Sequence, residues 1–160
     1  MKGKRLGRTV AGCTAATSLL FGYAGVASAS TASPADTGAT IVNGTATFDT
    51  TDENKDHDTT LTIKVLTASG RTAATAVGDF GEFTDGSEHP IPLLVRPTVT
   101  WDQLQGGRLT FHVDPVGDDT WRFRYNVLLN FNDGDFSLTQ DSNVISLSED
   151  HKDYSHALEF

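Results

Sequence analysis

Apolar and polar residues alternate along much of the chain, and the longest alternating run is Trp121–Phe131. On one face of an extended strand this run would place Arg122, Arg124, Asn126 and Asn130. The opposite face would carry the apolar set Trp121, Phe123, Tyr125, Val127, Leu129 and Phe131. Because successive residues of a strand point to opposite faces, the run predicts a strand with one face buried and the other in solvent.

Shorter segments repeat this period of two residues. The further predicted strands are Thr40–Phe48, Thr60–Leu66, Arg108–Val113, Phe136–Gln140, Asn143–Leu147 and Tyr154–Phe160. The alternation is weaker in Thr72–Val77 and Ile91–Val95, which are candidates for one or two more. The Asp-Gly pair in Asn132–Asp135 predicts a hairpin turn, and Thr100–Gly107 predicts a single helical turn. About seven or eight strands with no sustained helical period predict an all-β fold, a single antiparallel β-sandwich over residues 41–160.

The first 29 residues have the layout of a secretory signal peptide. Four basic residues precede an uncharged, small and apolar run, Thr9–Val26, and Ala27–Ser30 supplies the small residues of a cleavage site after Ala29. Lipoprotein processing at Cys13 is disfavoured because little apolar sequence precedes it. We therefore expect a secreted protein, with no transmembrane segment in its mature part and a disordered tail over residues 30–40.

Removal of that signal would leave a strongly acidic chain. All 21 acidic residues follow residue 29, and four of the 12 basic residues precede it, so eight basic residues would remain and the net charge would be −13. Such a charge excludes nucleic acid as a partner unless a cation intervenes. Sixteen of the acidic residues are Asp, which favours turns and loops.

The densest acidic stretch, Asp49–Val65, predicts a calcium loop. Oxygen-bearing side chains fall there at alternate positions, which are Asp52, Asn54, Asp56 and Asp58. Alternate oxygen ligands wrap around Ca²⁺ in an EF-hand loop. His57 and Ile63 occupy the positions of the Gly and the bidentate Glu that an EF-hand needs, so that family is excluded.

Two further acidic loops flank the long strand at its opposite ends. Asp118 and Asp119 come just before it, and Asp133 and Asp135 come just after it. We expect Asp118 and Asp119 to join the Asp52–Asp58 ligands, because both loops lead into a strand through Asp-Thr. If those two strands run in the same direction, their starts share one rim. The alternative is that these Asp residues cap their own turns and keep the protein soluble without binding an ion.

The segments Asp52–Val65 and Gly117–Leu129 together resemble C2 and PLAT (lipoxygenase-homology) domains, which are β-sandwiches with acidic loops at one rim. The resemblance covers residues 41–160. It implies Ca²⁺ binding in the loops and use of that rim to contact lipid, carbohydrate or protein. The spaced ligand pattern of the family is matched only in part.

Catalytic patterns are weak. The chain has no G-x-S-x-G or H-E-x-x-H motif, and its five histidines lack metal-ligand spacing to one another. The histidines, which we expect at the surface, are His57, His89, His112, His151 and His156. Paired carboxylates are numerous, so a small hydrolase stays as an alternative.

The two tryptophans differ in context. Trp121 begins the apolar face of the long strand, so we expect it in the core. Trp101 lies in an irregular segment, where it would either bind a ligand by stacking on a sugar ring or plug one end of the sandwich. Arg122 and Arg124 are expected on a solvated face, paired with acids.

The sequence as a whole favours a secreted, non-enzymatic, calcium-binding module that recognises a carbohydrate, a surface or a protein. An ion-free structural or interaction protein is the alternative, and a carboxylate-dependent hydrolase is the second alternative.

Overall fold

The computed structural model describes residues 38–160. The predicted signal peptide (1–29) and most of the predicted tail (30–40) lie outside the described residues. The part of the chain that is described forms nine strands and one helical turn. These are β1 (Ile41–Glu53), β2 (Thr60–Leu66), β3 (Thr72–Gly78), β4 (Glu88–Pro92), β5 (Leu94–Val95), α1 (Trp101–Leu104), β6 (Arg108–Asp114), β7 (Thr120–Phe131), β8 (Phe136–Ser148) and β9 (Asp153–Ala157). No helix within residues 38–160 is both long and apolar enough to cross a membrane.

The strands form two antiparallel sheets that pack face to face. Sheet I has the order β4-β1-β7-β8, and sheet II has the order β5-β3-β2-β6-β9. The predicted all-β antiparallel sandwich is therefore confirmed. The longest predicted strand, β7, lies inside sheet I between β1 and β8.

Several strand boundaries differ from the prediction. β1 continues beyond Phe48 to Glu53, so the beginning of the acidic stretch lies on a strand that pairs with β7. The two predicted strands between Phe136 and Leu147 are one strand, β8, whose pairing with β7 shifts register at a bulge. Asn143 N–H donates to the Asp141 carboxylate at 2.9 Å, so a turn-like polar segment is absorbed as that bulge.

The predicted hairpin turn between β7 and β8 is confirmed. Phe131 N–H donates to the carbonyl of Asp135 at 2.9 Å, and Gly134 adopts a φ of 89°. A side chain is strained at such an angle, which explains the glycine at this position. The turn sends β8 back along β7.

The core lies between the sheets and is rich in aromatic side chains. All six apolar residues predicted on the inner face of β7 are buried, with 0–3% of each residue exposed. Phe48 of β1 lies at the centre of the aromatic cluster, with its ring 5.0 Å from Trp121, 5.1 Å from Phe111 and 5.3 Å from Phe123. Phe111 belongs to sheet II, so this cluster joins the two sheets.

We expect Phe123→Ala to lower the free energy of unfolding by about 3–5 kcal/mol, because it removes buried area and leaves a cavity. Phe136→Ala is the matched control, since Phe136 is 60% exposed; its cost should stay within about 0.5 kcal/mol. Denaturant unfolding of both variants measures the difference. Equal costs would mean that the aromatic cluster does not hold the sheets together.

Candidate functional site

Three loops meet at one end of the sandwich, and we call them the acidic rim: residues 54–59, 79–83 and 115–119. The Asp119 carboxylate accepts hydrogen bonds from the Asp56 N–H at 3.3 Å and from the Thr59 hydroxyl at 2.5 Å. The starts of β2 and β7 therefore share this rim, as the repeated Asp-Thr pattern predicts.

The six predicted calcium ligands are only partly brought together. Asn54, Asp56 and Asp119 form one group, in which the Asn54 amide donates to the Asp56 carboxylate at 3.4 Å. Asp52 lies outside this group on β1, where its carboxylate accepts a hydrogen bond of 2.6 Å from the Arg122 guanidinium. The remaining two, Asp58 and Asp118, are exposed.

Lys55 lies at the centre of the rim and is fully buried. Its Nζ donates to the backbone carbonyls of Asp56 at 2.9 Å and Gly81 at 2.8 Å. The same ammonium lies 4.9 Å from the centre of the Phe83 ring, within the range of a cation–π contact. One lysine thus joins the loops 54–59 and 79–83.

Backbone hydrogen bonds and a tight turn hold Lys55 against loop 79–83. Lys55 and Phe83 exchange two backbone hydrogen bonds, of 3.1 and 2.9 Å. Phe80 and Gly81 adopt left-handed φ angles of 53° and 76°, and the turn they form presents the Gly81 carbonyl to Lys55. A left-handed φ is unusual for phenylalanine, so this turn is locally strained.

Two opposing effects act on the pKa of the Lys55 ammonium. Burial lowers the pKa of the Lys55 ammonium below its ordinary value, because a charge is poorly solvated there. The negative charges of Asp79, Asp119, Asp56 and Asp58 oppose that lowering of the pKa. In the sequence Lys55 is a basic residue among acidic ones. The pattern of apolar and polar residues around it does not predict that its side chain is buried.

Taken as donors for Ca²⁺, the rim residues fit poorly. Within residues 38–160 no group of three or more His, Cys, Asp or Glu side chains converges as metal ligands do. The Asp119 carboxylate already accepts hydrogen bonds from the Asp56 N–H and the Thr59 hydroxyl, and Asp52 is paired with Arg122. Calcium binding stays a prediction.

Trp101, the possible ligand-binding aromatic residue, packs at one end of the core. Its half-buried ring makes edge-to-face contacts with Phe131 and Phe160, each with ring centres 4.8 Å apart. These contacts favour a plug over a stacking platform for sugar.

Three of the five histidines are half-buried rather than exposed. His112 lies 2.8 Å from the Asp153 carboxylate and 3.3 Å from that of Asp114. His156 Nδ1 lies 2.5 Å from the Tyr125 hydroxyl, and His89 stacks on Phe83 with ring centres 4.0 Å apart. His57 and His151 are exposed, as expected.

The outer face of sheet I carries a second candidate site, on a face for which the sequence predicts only exposure to solvent. A depression of about 360 Å³ lies across four strands there. Its polar lining includes Thr47, Asp49, Glu88, Arg124, Asn126 and Gln140. Strand pairing aligns Thr47, Asn126 and Gln140 in one row and aligns Asp49 with Arg124 and Glu88 in the next.

Arg124 is held in place within this depression. Its Nε donates to the Ser142 carbonyl at 3.1 Å, and a second guanidinium nitrogen lies 3.7 Å from the Asp49 carboxylate. The pairing of Arg122 and Arg124 with acids matches the expectation from sequence. What the sequence does not reveal is that the acids and amides converge around Arg124, because those residues come from four separate strands.

The same face becomes apolar towards the β7–β8 hairpin. Phe136 and Leu138 of β8 are 60% and 38% exposed, and Leu128 of β7 pairs with Leu138. The hydrogen bond of 2.6 Å from the Asn130 amide to Asn43 lies beside them. This outer face of sheet I, from Glu88 to Phe136, is called the recognition face below.

No family model and no curated protein matches the chain. Among solved structures, two crystal structures of a lipoxygenase with an internal deletion, one with a further alanine substitution, each match with a TM-score of 0.50. Their identities are 18% and 17%, and each match covers 72% of this chain and 16% of the other. The likeness concerns the fold alone, and it weakly supports the resemblance to the PLAT domain of lipoxygenases.

We expect Asp119→Ala to lower the free energy of unfolding by about 1.5–3 kcal/mol, because the Asp56 N–H and the Thr59 hydroxyl would lose a charged acceptor. Asp118→Ala is the control, since this neighbouring side chain is exposed and its cost should be within about 0.5 kcal/mol. Urea unfolding of the two variants measures both values. If the two cost the same, Asp119 does not tie the rim loops together.

Proposed function

We propose that the protein is a secreted, non-enzymatic recognition module that binds a neutral polysaccharide through its recognition face. One observation carries the proposal: a polar depression of about 360 Å³ adjoins exposed apolar side chains on the same sheet face. Sugar rings have hydroxyl groups around their edges and apolar C–H surfaces on their faces. A ligand of that kind matches both halves of this surface.

The polar half carries groups that pair with hydroxyls. Side-chain amides such as those of Asn126 and Gln140 donate and accept hydrogen bonds, as a hydroxyl does. Arg124 adds donors and Asp49 adds acceptors, and the contacts of Arg124 with Ser142 and Asp49 limit its motion before any ligand arrives. Side chains held in position lose less conformational entropy on binding.

The apolar half supports an extended ligand. Phe136 and Gln140 lie on the same strand and the same face, four residues apart. At about 3.4 Å per residue, their positions are about 14 Å apart, which exceeds the width of a single sugar ring. An oligosaccharide or polysaccharide chain would contact both, with a ring face on Phe136.

Charge narrows the class of polysaccharide. The whole chain carries a net charge of −9, and the mature chain predicted from sequence carries −13. Anionic polysaccharides and nucleic acids would be repelled. The recognition face itself includes Asp49 and Glu88 beside Arg124, which favours a neutral ligand.

Secretion and the lack of enzymatic activity are parts of this proposal carried over from the sequence. Calcium is not needed for it, because the recognition face lies on sheet I outside the rim loops. The melting temperatures of the protein in chelator and in Ca²⁺ decide whether the rim binds calcium.

The proposal is tested by native gel electrophoresis of the purified protein in gels with and without a soluble neutral polysaccharide. Galactomannan, xylan and a mixed-linkage glucan serve as separate probes, and at least one should retard the protein. Gln140→Ala and Phe136→Ala should each weaken that binding about tenfold, equivalent to about 1.4 kcal/mol. Gln105→Ala is the matched control, because Gln105 is exposed and lies outside the recognition face.

Two results would contradict the proposal. Retardation by none of the neutral probes, or equal retardation of the Gln140 and Gln105 variants, would remove the recognition face as the binding site. Release of reducing ends during incubation with a probe would instead support the hydrolase alternative. Enzyme assays on the same samples measure that release.

A further inference from the structure

We infer that the buried Lys55 ammonium takes the place of a metal ion in the acidic rim: it joins loops 54–59 and 79–83 through their backbone carbonyls and offsets part of their negative charge. The inference is independent of the polysaccharide proposal, because the rim and the recognition face are separate surfaces. It gives Asp56 and Asp58, the two acidic residues between β1 and β2, a nearby cation that belongs to the chain itself.

The first argument is the position of the ammonium. Lys55 Nζ is bonded to one carbonyl from each loop, Asp56 at 2.9 Å and Gly81 at 2.8 Å. Backbone carbonyls from two loops, with carboxylates around them, are oxygen donors of the kind that also hold Ca²⁺. In this chain the oxygens face an ammonium that the protein itself supplies.

The second argument is charge balance. A buried ammonium is strongly disfavoured unless negative charges and hydrogen-bond acceptors compensate for lost hydration. The negative charges of four carboxylates act on Lys55, those of Asp56, Asp58, Asp79 and Asp119. Without the lysine, these carboxylates would repel one another across the junction of the loops.

The third argument is attachment to the core. Phe83, whose ring lies beneath the ammonium, is buried and contacts Trp121 with ring centres 5.5 Å apart. Phe83 also exchanges two backbone hydrogen bonds with Lys55. The cation therefore holds the loops and is itself fixed to the aromatic cluster.

A covalently attached cation differs from a bound one in a measurable way. The stabilisation from a bound metal depends on its free concentration, whereas that from Lys55 does not. We therefore expect the purified protein to melt within about 1 °C of the same temperature in chelator and in about 5 mM Ca²⁺. That concentration is about fifty times a Kd of about 10⁻⁴ M, so a calcium site of that affinity would raise Tm by several degrees.

Lys55→Met keeps an apolar stem and removes the charge. We expect its Tm to fall by about 10 °C in low-salt chelator buffer, because four carboxylates lose their shared cation. Added NaCl and added Ca²⁺ should each restore part of that loss, since both screen or bind the carboxylates. Lys64→Met is the matched control, because Lys64 is exposed on β2, and its Tm should change little with either addition.

A further variant covers the case in which Lys55→Met does not fold. Asp58 and Asp79 are exposed, so Asp58→Asn and Asp79→Asn together lower the negative charge without changing the core. Combined with Lys55→Met, this pair should recover folding and raise Tm relative to Lys55→Met alone. Such a recovery of Tm would show that Lys55→Met is destabilised by repulsion between carboxylates rather than by lost packing.

The inference would be overturned by any of three results. The first is a rise of several degrees in the Tm of the unmodified protein with Ca²⁺. The second is equal stability of Lys55→Met and Lys64→Met. The third is a fall in the Tm of Lys55→Met that salt, Ca²⁺ and the two Asp→Asn changes all fail to reduce.

Discussion

Packing of aromatic side chains between the two sheets is the interaction on which the rest of this structure depends. The rings of Phe48 and Phe123 in sheet I lie 5.1 and 5.9 Å from the ring of Phe111 in sheet II, and Trp121 packs on both of these sheet I rings. The only cysteine is Cys13, so no disulfide joins the sheets. Because apolar burial fixes which face of each strand points inward, it also determines which side chains reach the recognition face and which loops meet at the rim.

The rim shows how a polar region depends on that core. The Trp121 indole N–H donates to the buried Thr50 hydroxyl at 3.1 Å, close to the end of β1. A few residues later the chain buries Lys55 over Phe83, which packs on Trp121. The cation–π contact of Lys55 and the aromatic packing of Phe83 therefore form one continuous set of contacts. The acidic loops have a defined arrangement because they are attached to the core through these contacts.

Alternation in the sequence predicts most of the strands, and it does so best where one face is apolar, as in β2 and β7. It fails where polar residues point inward. Thr50 and Lys55 are buried but polar, so the sequence does not reveal that β1 continues or that a cation lies inside the rim. The turn-like Asp141 and Asn143 lie in a bulge of one strand, because bonding between them is compatible with continued pairing to β7.

The two candidate sites differ in what the sequence reveals. The loops before β2 and β7 share a local Asp-Thr repeat, and they do meet, with the Asp119 carboxylate next to the Asp56 N–H; whether these residues bind Ca²⁺ stays a prediction. The recognition face was not, because Asp49, Glu88, Arg124 and Gln140 come from four strands whose order cannot be read from local pattern. The partners that neutralise each acid are likewise distant in sequence, as Asp52 and Arg122 show.

The pairing of β1 with β7 at the centre of sheet I has a kinetic consequence. Thr45 faces Leu128 across this ladder, roughly eighty residues later in the chain. Folds dominated by such distant pairings form slowly, because a long loop must close before its contacts are gained. During that interval apolar strands are exposed, and the high negative charge keeps neighbouring chains apart until the sheet is complete.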